Sequence, residues 1–151
     1  MAGTTFRDLR EGLVHLFYPH LCEGCRRQLV ADETVLCAGC ETELALTNYH
    51  TMPGNETEIR FSGRFPFERA TSYAWFTEDG LLQHLMHGLK YKDRKETGEW
   101  LGSRFALALA ESNWQLGIDA VVPVPLHPTK EAQRGYNQSE VIAAAMAKEL
   151  G

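Results

Sequence analysis

The chain has 151 residues, of which 44% are hydrophobic, and it carries a formal net charge of -5 with an isoelectric point near 5.7. This is the composition of an ordinary globular protein, and the length suits one domain, alone or with a small appendage. The net negative charge excludes a protein that binds nucleic acid through its overall charge, and no run of the sequence approaches the roughly 20 consecutive apolar residues that span a bilayer.

The first predicted element is a short amphipathic helix over residues 5–17. Thr5 is a suitable N-cap, apolar residues recur at helical spacing, and Pro19 ends the pattern. The same segment lacks the apolar core of a signal peptide and carries acidic residues early, so we expect a cytoplasmic protein.

Four cysteines follow in two tight pairs, Cys22 with Cys25 and Cys37 with Cys40. In a reducing compartment such pairs indicate a metal site rather than disulfides. Two residues between cysteines let both thiolates of a pair bind one ion from a tight turn, and four thiolates complete the tetrahedral shell of Zn²⁺. The spacing therefore predicts a structural zinc site in a zinc-ribbon or zinc-knuckle module.

Alternatives to a zinc site stay open at this point. Four thiolates also suit an iron–sulfur cluster, the cysteines could be unrelated buried thiols, and a single such pair is also a redox motif. His20 is an obvious substitute ligand, although four cysteines already fill the shell. Between the pairs, residues 28–30 and 34–36 are predicted to form a hairpin with residues 31–33 at its tip.

The composition changes after the cysteine module. Residues 1–48 hold the N-terminal helix and the module, and residues 49–68 read as a linker because Asn, Thr, Pro and Gly are frequent and periodicity is absent. Residues 69–151 form the remaining predicted domain. Within it, His84 and His87 share a helical face without a further ligand, and we interpret them and the basic run of residues 90–95 as solvated surface.

Strands and helices alternate in this last domain. Strands are predicted over residues 70–76 and 118–123, the second of them apolar enough for the buried centre of a parallel sheet. Helices are predicted over residues 81–89, 96–112 and 138–150. The pattern predicts an α/β fold, but two strands are too few for an independent sheet, so we interpret the sequence as a fragment or split form of a longer protein.

The second strand leads into a turn with features of a ligand site. Prolines end it near Pro123, and ligands of open α/β sheets bind at the carboxyl ends of strands. Arg134, Asn137 and Gln138 follow, at the start of the last helix, where free amides and a cation can hold an anion. An ordinary loop with a capped helix is the alternative interpretation.

These motifs resemble the ComF family, competence-associated proteins with a phosphoribosyltransferase-like domain. The segments Val122–Pro128 and Arg134–Glu140 resemble the family signature, and the four cysteines match the family's N-terminal zinc module. Between them, an aromatic strand and a Leu-rich helix that leads into Lys90-Tyr91 also match. The resemblance covers nearly the whole chain and implies a partial type I phosphoribosyltransferase-like parallel sheet, preceded by the zinc module.

The resemblance also implies phosphoribosyl pyrophosphate as a ligand of the complete domain. Arg134 would supply charge, while Asn137 and Gln138 would orient the loop. Type I phosphoribosyltransferases bind this ligand through a later loop with two adjacent acidic residues after an apolar strand, and no such segment occurs in the sequence. We therefore expect this chain alone to be inactive, with no catalytic residue identified and the transferase activity of a completed domain left open.

The implied cellular role is DNA uptake, natural transformation, or nucleotide and DNA metabolism. One alternative is a non-catalytic zinc-ribbon module that docks a DNA helicase or single-stranded DNA. Another is a split relative of amidophosphoribosyltransferases in nucleotide synthesis. The bare edge of a small sheet also favours a homodimer. The acceptor substrate does not follow from the sequence.

Overall fold

The computed structural model describes residues 20–114 and 116–151. The helix predicted over residues 5–17 lies outside the described residues. The chain divides into two compact units, Met1–Thr42 and Glu43–Gly151. Within the described ranges, every helix is too short or too polar to cross a bilayer.

Helices make up about half of the described residues, and the three helices predicted over residues 81–89, 96–112 and 138–150 are confirmed. A 3-10 turn at Tyr49–Thr51 lies between the first two helices. The α-helices are α1 (Ala38–Glu43), α2 (Glu56–Phe61), α3 (Leu81–Tyr91), α4 (Lys95–Glu111), α5 (Pro128–Arg134) and α6 (Gln138–Leu150).

The pairing of α4 with α6 is the main packing feature of the second unit. A Cβ atom at Gly102 would lie 2.5 Å from the carbonyl oxygen of Ile142, and one at Gly98 would lie 2.9 Å from Leu89 Cδ1. Non-bonded atoms do not approach this closely without displacement, so Gly102 lets the α6 backbone lie directly against α4, and Gly98 leaves room for the Leu89 side chain of α3.

The core of this unit is formed by apolar side chains of α3, α4 and α6. Leu85 and Leu89 of α3 are almost completely buried, as are Leu101 and Ala106 of α4 and Ala143 of α6. Removing a leucine side chain from water contributes about 1.5–3 kcal/mol. Packing of these helical faces, rather than a sheet, therefore stabilises the described part of the unit.

Side-chain hydrogen bonds hold the segment that the sequence predicted as a linker. Asn55 caps α2 by accepting from Thr57 N at 2.9 Å, and its amide donates to the carbonyl oxygen of Ala70 at 2.9 Å. The indole Nε1 of Trp114 donates to the carbonyl oxygen of His50 at 2.7 Å. The bond to Ala70 and the bond from Trp114 connect this segment to residues of the predicted second domain.

The two predicted strands do not form a sheet in the described residues. Residues 70–76 make one isolated antiparallel bridge, between Ala74 and Leu46, and residues 118–123 have no regular secondary structure. Val122 is 83% exposed, so the predicted burial of this segment is wrong for this structure. The physical reason is that residues 118–123 make no backbone–backbone hydrogen bond within the described ranges, whereas a buried parallel strand needs neighbours on both edges. The partial parallel sheet stays a prediction.

Candidate metal centre

The first cysteine pair lies in a tight reversal of the chain. The backbone N–H of Cys22 donates to Arg27 at 2.8 Å, and that of Arg26 donates to Cys22 at 3.0 Å. Arg26 takes a left-handed backbone conformation, with φ of 64°, and Leu21 pairs with Gln28 in an antiparallel bridge. This turn brings the side chains of Cys22 and Cys25 to one side.

The second cysteine pair lies at the start of α1. The N–H of Cys40 is directed at the sulfur of Cys37 at 3.4 Å, and the N–H of Cys37 is directed at the sulfur of Cys22 at 3.3 Å. Backbone amides that point at sulfur favour the thiolate over the thiol. Cys22, Cys37 and Cys40 are buried, whereas Cys25 is exposed.

All four sulfur atoms converge. Their Sγ atoms lie within 4.8 Å of one another, and those of Cys25 and Cys37 are 3.6 Å apart. Tetrahedral zinc with Zn–S bonds of about 2.3 Å requires sulfur atoms about 3.8 Å apart. The cysteines are free thiols, so the group that the spacing predicted can hold one metal ion.

The hairpin predicted for residues 28–30 and 34–36 does not form. Instead, the carboxylate of Glu33 accepts from the backbone N–H of Val30 at 3.0 Å and from that of Ala38 at 2.7 Å. Because the Val30 N–H donates to Glu33, it is not available for the backbone hydrogen bonds of a hairpin. The sequence placed Glu33 at a hairpin tip, and nothing in the spacing indicated this role.

The surroundings of the thiols separate their pKa values. The backbone amide of Cys40 lowers the pKa of Cys37 to about 6. Burial raises the pKa of Cys40 to about 12. Burial opposes ionisation of Cys22 as well, but backbone amides, first that of Cys37, leave its pKa lowered. Four thiolates at this separation repel one another, so complete ionisation of the group needs a bound cation.

Arg27 places a positive charge beside the sulfur group. Its guanidinium donates to Glu33 at 2.8 Å, and the adjacent sulfur of Cys37 raises the pKa of Arg27. A positive charge beside a thiolate offsets part of the negative charge that four thiolates bring to a divalent ion. His20 is not a member of the converging group, so the predicted four-cysteine set stands without a substitute ligand.

Arg134, Asn137 and Gln138 lie together where α5 passes into α6. Gly135 reverses the chain with φ of 79°, and the Asn137 side chain caps α6 by accepting from Ser139 N at 3.0 Å. Arg134 Nη1 donates to Gln138 Oε1 at 2.9 Å. The amide of Asn137 also donates to the carbonyl oxygen of Val124 at 3.0 Å.

Aromatic side chains at this junction were not indicated by the sequence patterns. The Arg134 guanidinium lies 5.4 Å from the centroid of the Tyr91 ring, and Lys95 Nζ lies 4.7 Å from that of Tyr136. Burial raises the pKa of Tyr136, whose hydroxyl donates to the carbonyl oxygen of Leu89. The Lys90-Tyr91 motif and the Arg134-to-Asn137 motif, separated in sequence, therefore meet in the fold.

Comparison of the chain with protein-family models, with curated proteins and with solved structures found no match. The four-cysteine group therefore rests on its own geometry. The resemblance to the ComF family rests on the sequence motifs alone.

Proposed function

We propose that the four cysteines hold one structural Zn²⁺ ion. The observation that carries this proposal is the convergence of four sulfur atoms within 4.8 Å, from two pairs separated in sequence. Four thiolates leave no open coordination position, so the ion organises the module and does not take part in a reaction. Zinc is preferred over an iron–sulfur cluster because a single small ion fits sulfur atoms this close together.

The size of the module supports a structural role for the ion. The compact unit Met1–Thr42 is shorter than the roughly 70–80 residues that usually supply a sufficient apolar core, and small units of this kind depend on metals or disulfides. Among its described residues, Val35 and Leu36 are fully buried beside the cysteines. A bound metal adds free energy of folding directly to such a unit.

Elemental analysis of the purified full chain tests the metal. We expect about one zinc per chain after dialysis against a metal-free buffer. Two or four irons per chain with inorganic sulfide, and the charge-transfer absorption of an iron–sulfur cluster, would replace the zinc assignment. A metal-free chain with four reactive thiols would overturn the proposal.

A second proposal follows the ComF resemblance. We propose a phosphoribosyltransferase-related protein in which the α5–α6 junction faces the phosphate groups of phosphoribosyl pyrophosphate. The meeting of Arg134 and Lys95 with Tyr91 and Tyr136 at one junction supports it, because paired cations at a helix start are suited to phosphate. The proposed setting is cytoplasmic DNA uptake, natural transformation, or nucleotide and DNA metabolism.

Calorimetric titration of the full-length gene product with phosphoribosyl pyrophosphate tests this second proposal. We expect binding that Arg134→Gln weakens and that the matched change of an exposed arginine elsewhere, Arg64→Gln, leaves unchanged. No heat and no thermal shift would reject the ligand. In that case, binding of single-stranded DNA or a helicase by the zinc-loaded protein would favour the alternative of an interaction module. Loss of this binding in Cys22→Ser would assign it to the zinc module.

A further inference from the structure

The carboxylate of Glu33 accepts three hydrogen bonds within the cysteine module. It accepts from the backbone N–H of Val30 at 3.0 Å, from that of Ala38 at 2.7 Å and from the Arg27 guanidinium at 2.8 Å. Its side chain is only 12% exposed. A carboxylate that accepts several charge-assisted hydrogen bonds in a sheltered position is held in one geometry.

The three donors come from three different parts of the module. Arg27 lies two residues after the first cysteine pair, Val30 lies in the connecting loop, and Ala38 lies inside the second pair. One side chain therefore joins the loop to both cysteine pairs, and it adds to the backbone hydrogen bond from Glu23 N to the carbonyl oxygen of Val35 at 2.9 Å. The Glu33 carboxylate also places the Arg27 guanidinium next to the sulfur of Cys37.

We propose that Glu33 is the positioning residue of the metal site. It holds the loop against the second cysteine pair through Val30 and Ala38, and through Arg27 it links this pair to the first and supplies a positive charge beside a metal-bound thiolate. This inference rests on the proposed zinc site and assigns to it the outer residues that determine its affinity. Glu33 does not bind the ion itself, since four sulfur atoms complete the shell.

The first test compares zinc affinity in the full chain by competition with a chromogenic chelator. Glu33→Gln keeps the size of the side chain but turns one acceptor oxygen into a donor that faces a backbone N–H. Substitution of outer-shell partners of metal sites typically weakens metal binding about 10–100-fold, and we expect a change in this range. The matched control is Asp32→Asn. It removes the same charge from the preceding residue, whose side chain is exposed. Equal affinities of the two variants would overturn the proposal.

The second test separates positioning from general stabilisation of the loop. Co²⁺ in place of Zn²⁺ gives a thiolate-to-metal charge-transfer band, and we expect this band to shift in Glu33→Gln and Arg27→Gln but not in Arg26→Gln. The double variant is expected to lose no more affinity than the stronger single variant, because Glu33 holds Arg27 in place and the Arg27 charge has no further effect once Glu33 is changed. Arg27→Lys, which keeps the charge, is expected to restore most of the band position. Unchanged bands, or additive losses, would contradict the assignment.

The affinity of the unaltered chain distinguishes failure of the zinc site from failure of the Glu33 role. A chain that binds no zinc rejects both the zinc site and the role of Glu33. Tight binding by the unaltered chain with equal binding by Glu33→Gln rejects only the role of Glu33.

Discussion

The cysteine module and the segment of residues 118–124 differ in whether their polar and apolar groups find contact partners. In the module, sulfur atoms, backbone amides, a carboxylate and a guanidinium are brought within contact of one another by turns a few residues long. In residues 118–124, Val122 and Val124 are 83% and 73% exposed, and the backbone of residues 118–123 makes no backbone–backbone hydrogen bond within the described ranges. The comparison shows that the polar contacts of the module form between residues close in sequence, whereas a parallel sheet requires strands from distant parts of a chain.

The largest effect is expected for Cys37→Ser. The sulfur of Cys37 accepts from the backbone N–H of Cys40 and lies 3.6 Å from the sulfur of Cys25. Loss of this sulfur therefore removes a buried ligand from the coordination shell. Structural zinc contributes on the order of 10 kcal/mol to folding of such modules, and we expect loss of bound zinc and of the module's dispersed NMR signals. The exposed Cys25, changed to serine, is expected to retain weak zinc binding, whereas equal and tight binding by both variants would contradict the closed four-sulfur shell.

Acid is expected to weaken the module next. Burial raises the pKa of Cys40 to about 12, so at pH 7 this thiol carries a proton that the metal must displace, while Cys37, with a pKa of about 6, is mostly ionised. Each displaced proton makes zinc affinity fall about tenfold for each unit by which the pH decreases. Calorimetry of zinc binding in buffers of different ionisation enthalpy is expected to detect at least one released proton, and a value of zero would contradict the buried thiol.

Much of the helical unit and of the metal site was predictable because both depend on short sequence spacings. Apolar residues at helical spacing place α3, α4 and α6, and two Cys-x2-Cys pairs identify the sulfur ligands. Glu33 was not predictable as a positioning residue, because its three partners are backbone amides and an arginine without a sequence signature. The close approach of Gly102 to Ile142 was also unpredictable, since it depends on which helix lies opposite.

A smaller effect, confined to the helical unit, is expected for Gly102→Ala. The added methyl group would lie 2.5 Å from the carbonyl oxygen of Ile142, and forcing a methyl group into a packed interface typically costs about 1–3 kcal/mol. Gly88→Ala is the matched control, because there the methyl group meets only the flexible Arg94 side chain at 3.3 Å and gains helix propensity of about 1 kcal/mol. Urea unfolding of the two variants is expected to differ in sign, and equal midpoints would contradict the close α4–α6 contact.

The smallest effect is expected for Val122→Ser. An exposed position away from hydrogen-bond partners usually changes the free energy of unfolding by no more than about 0.5 kcal/mol, whereas Leu89→Ala in the core is expected to cost about 2–5 kcal/mol. Urea unfolding of the chain measures both changes. A cost for Val122→Ser that approaches that of Leu89→Ala would mean that residues 118–123 are buried in solution, and it would favour the predicted parallel sheet over the unpaired segment described here.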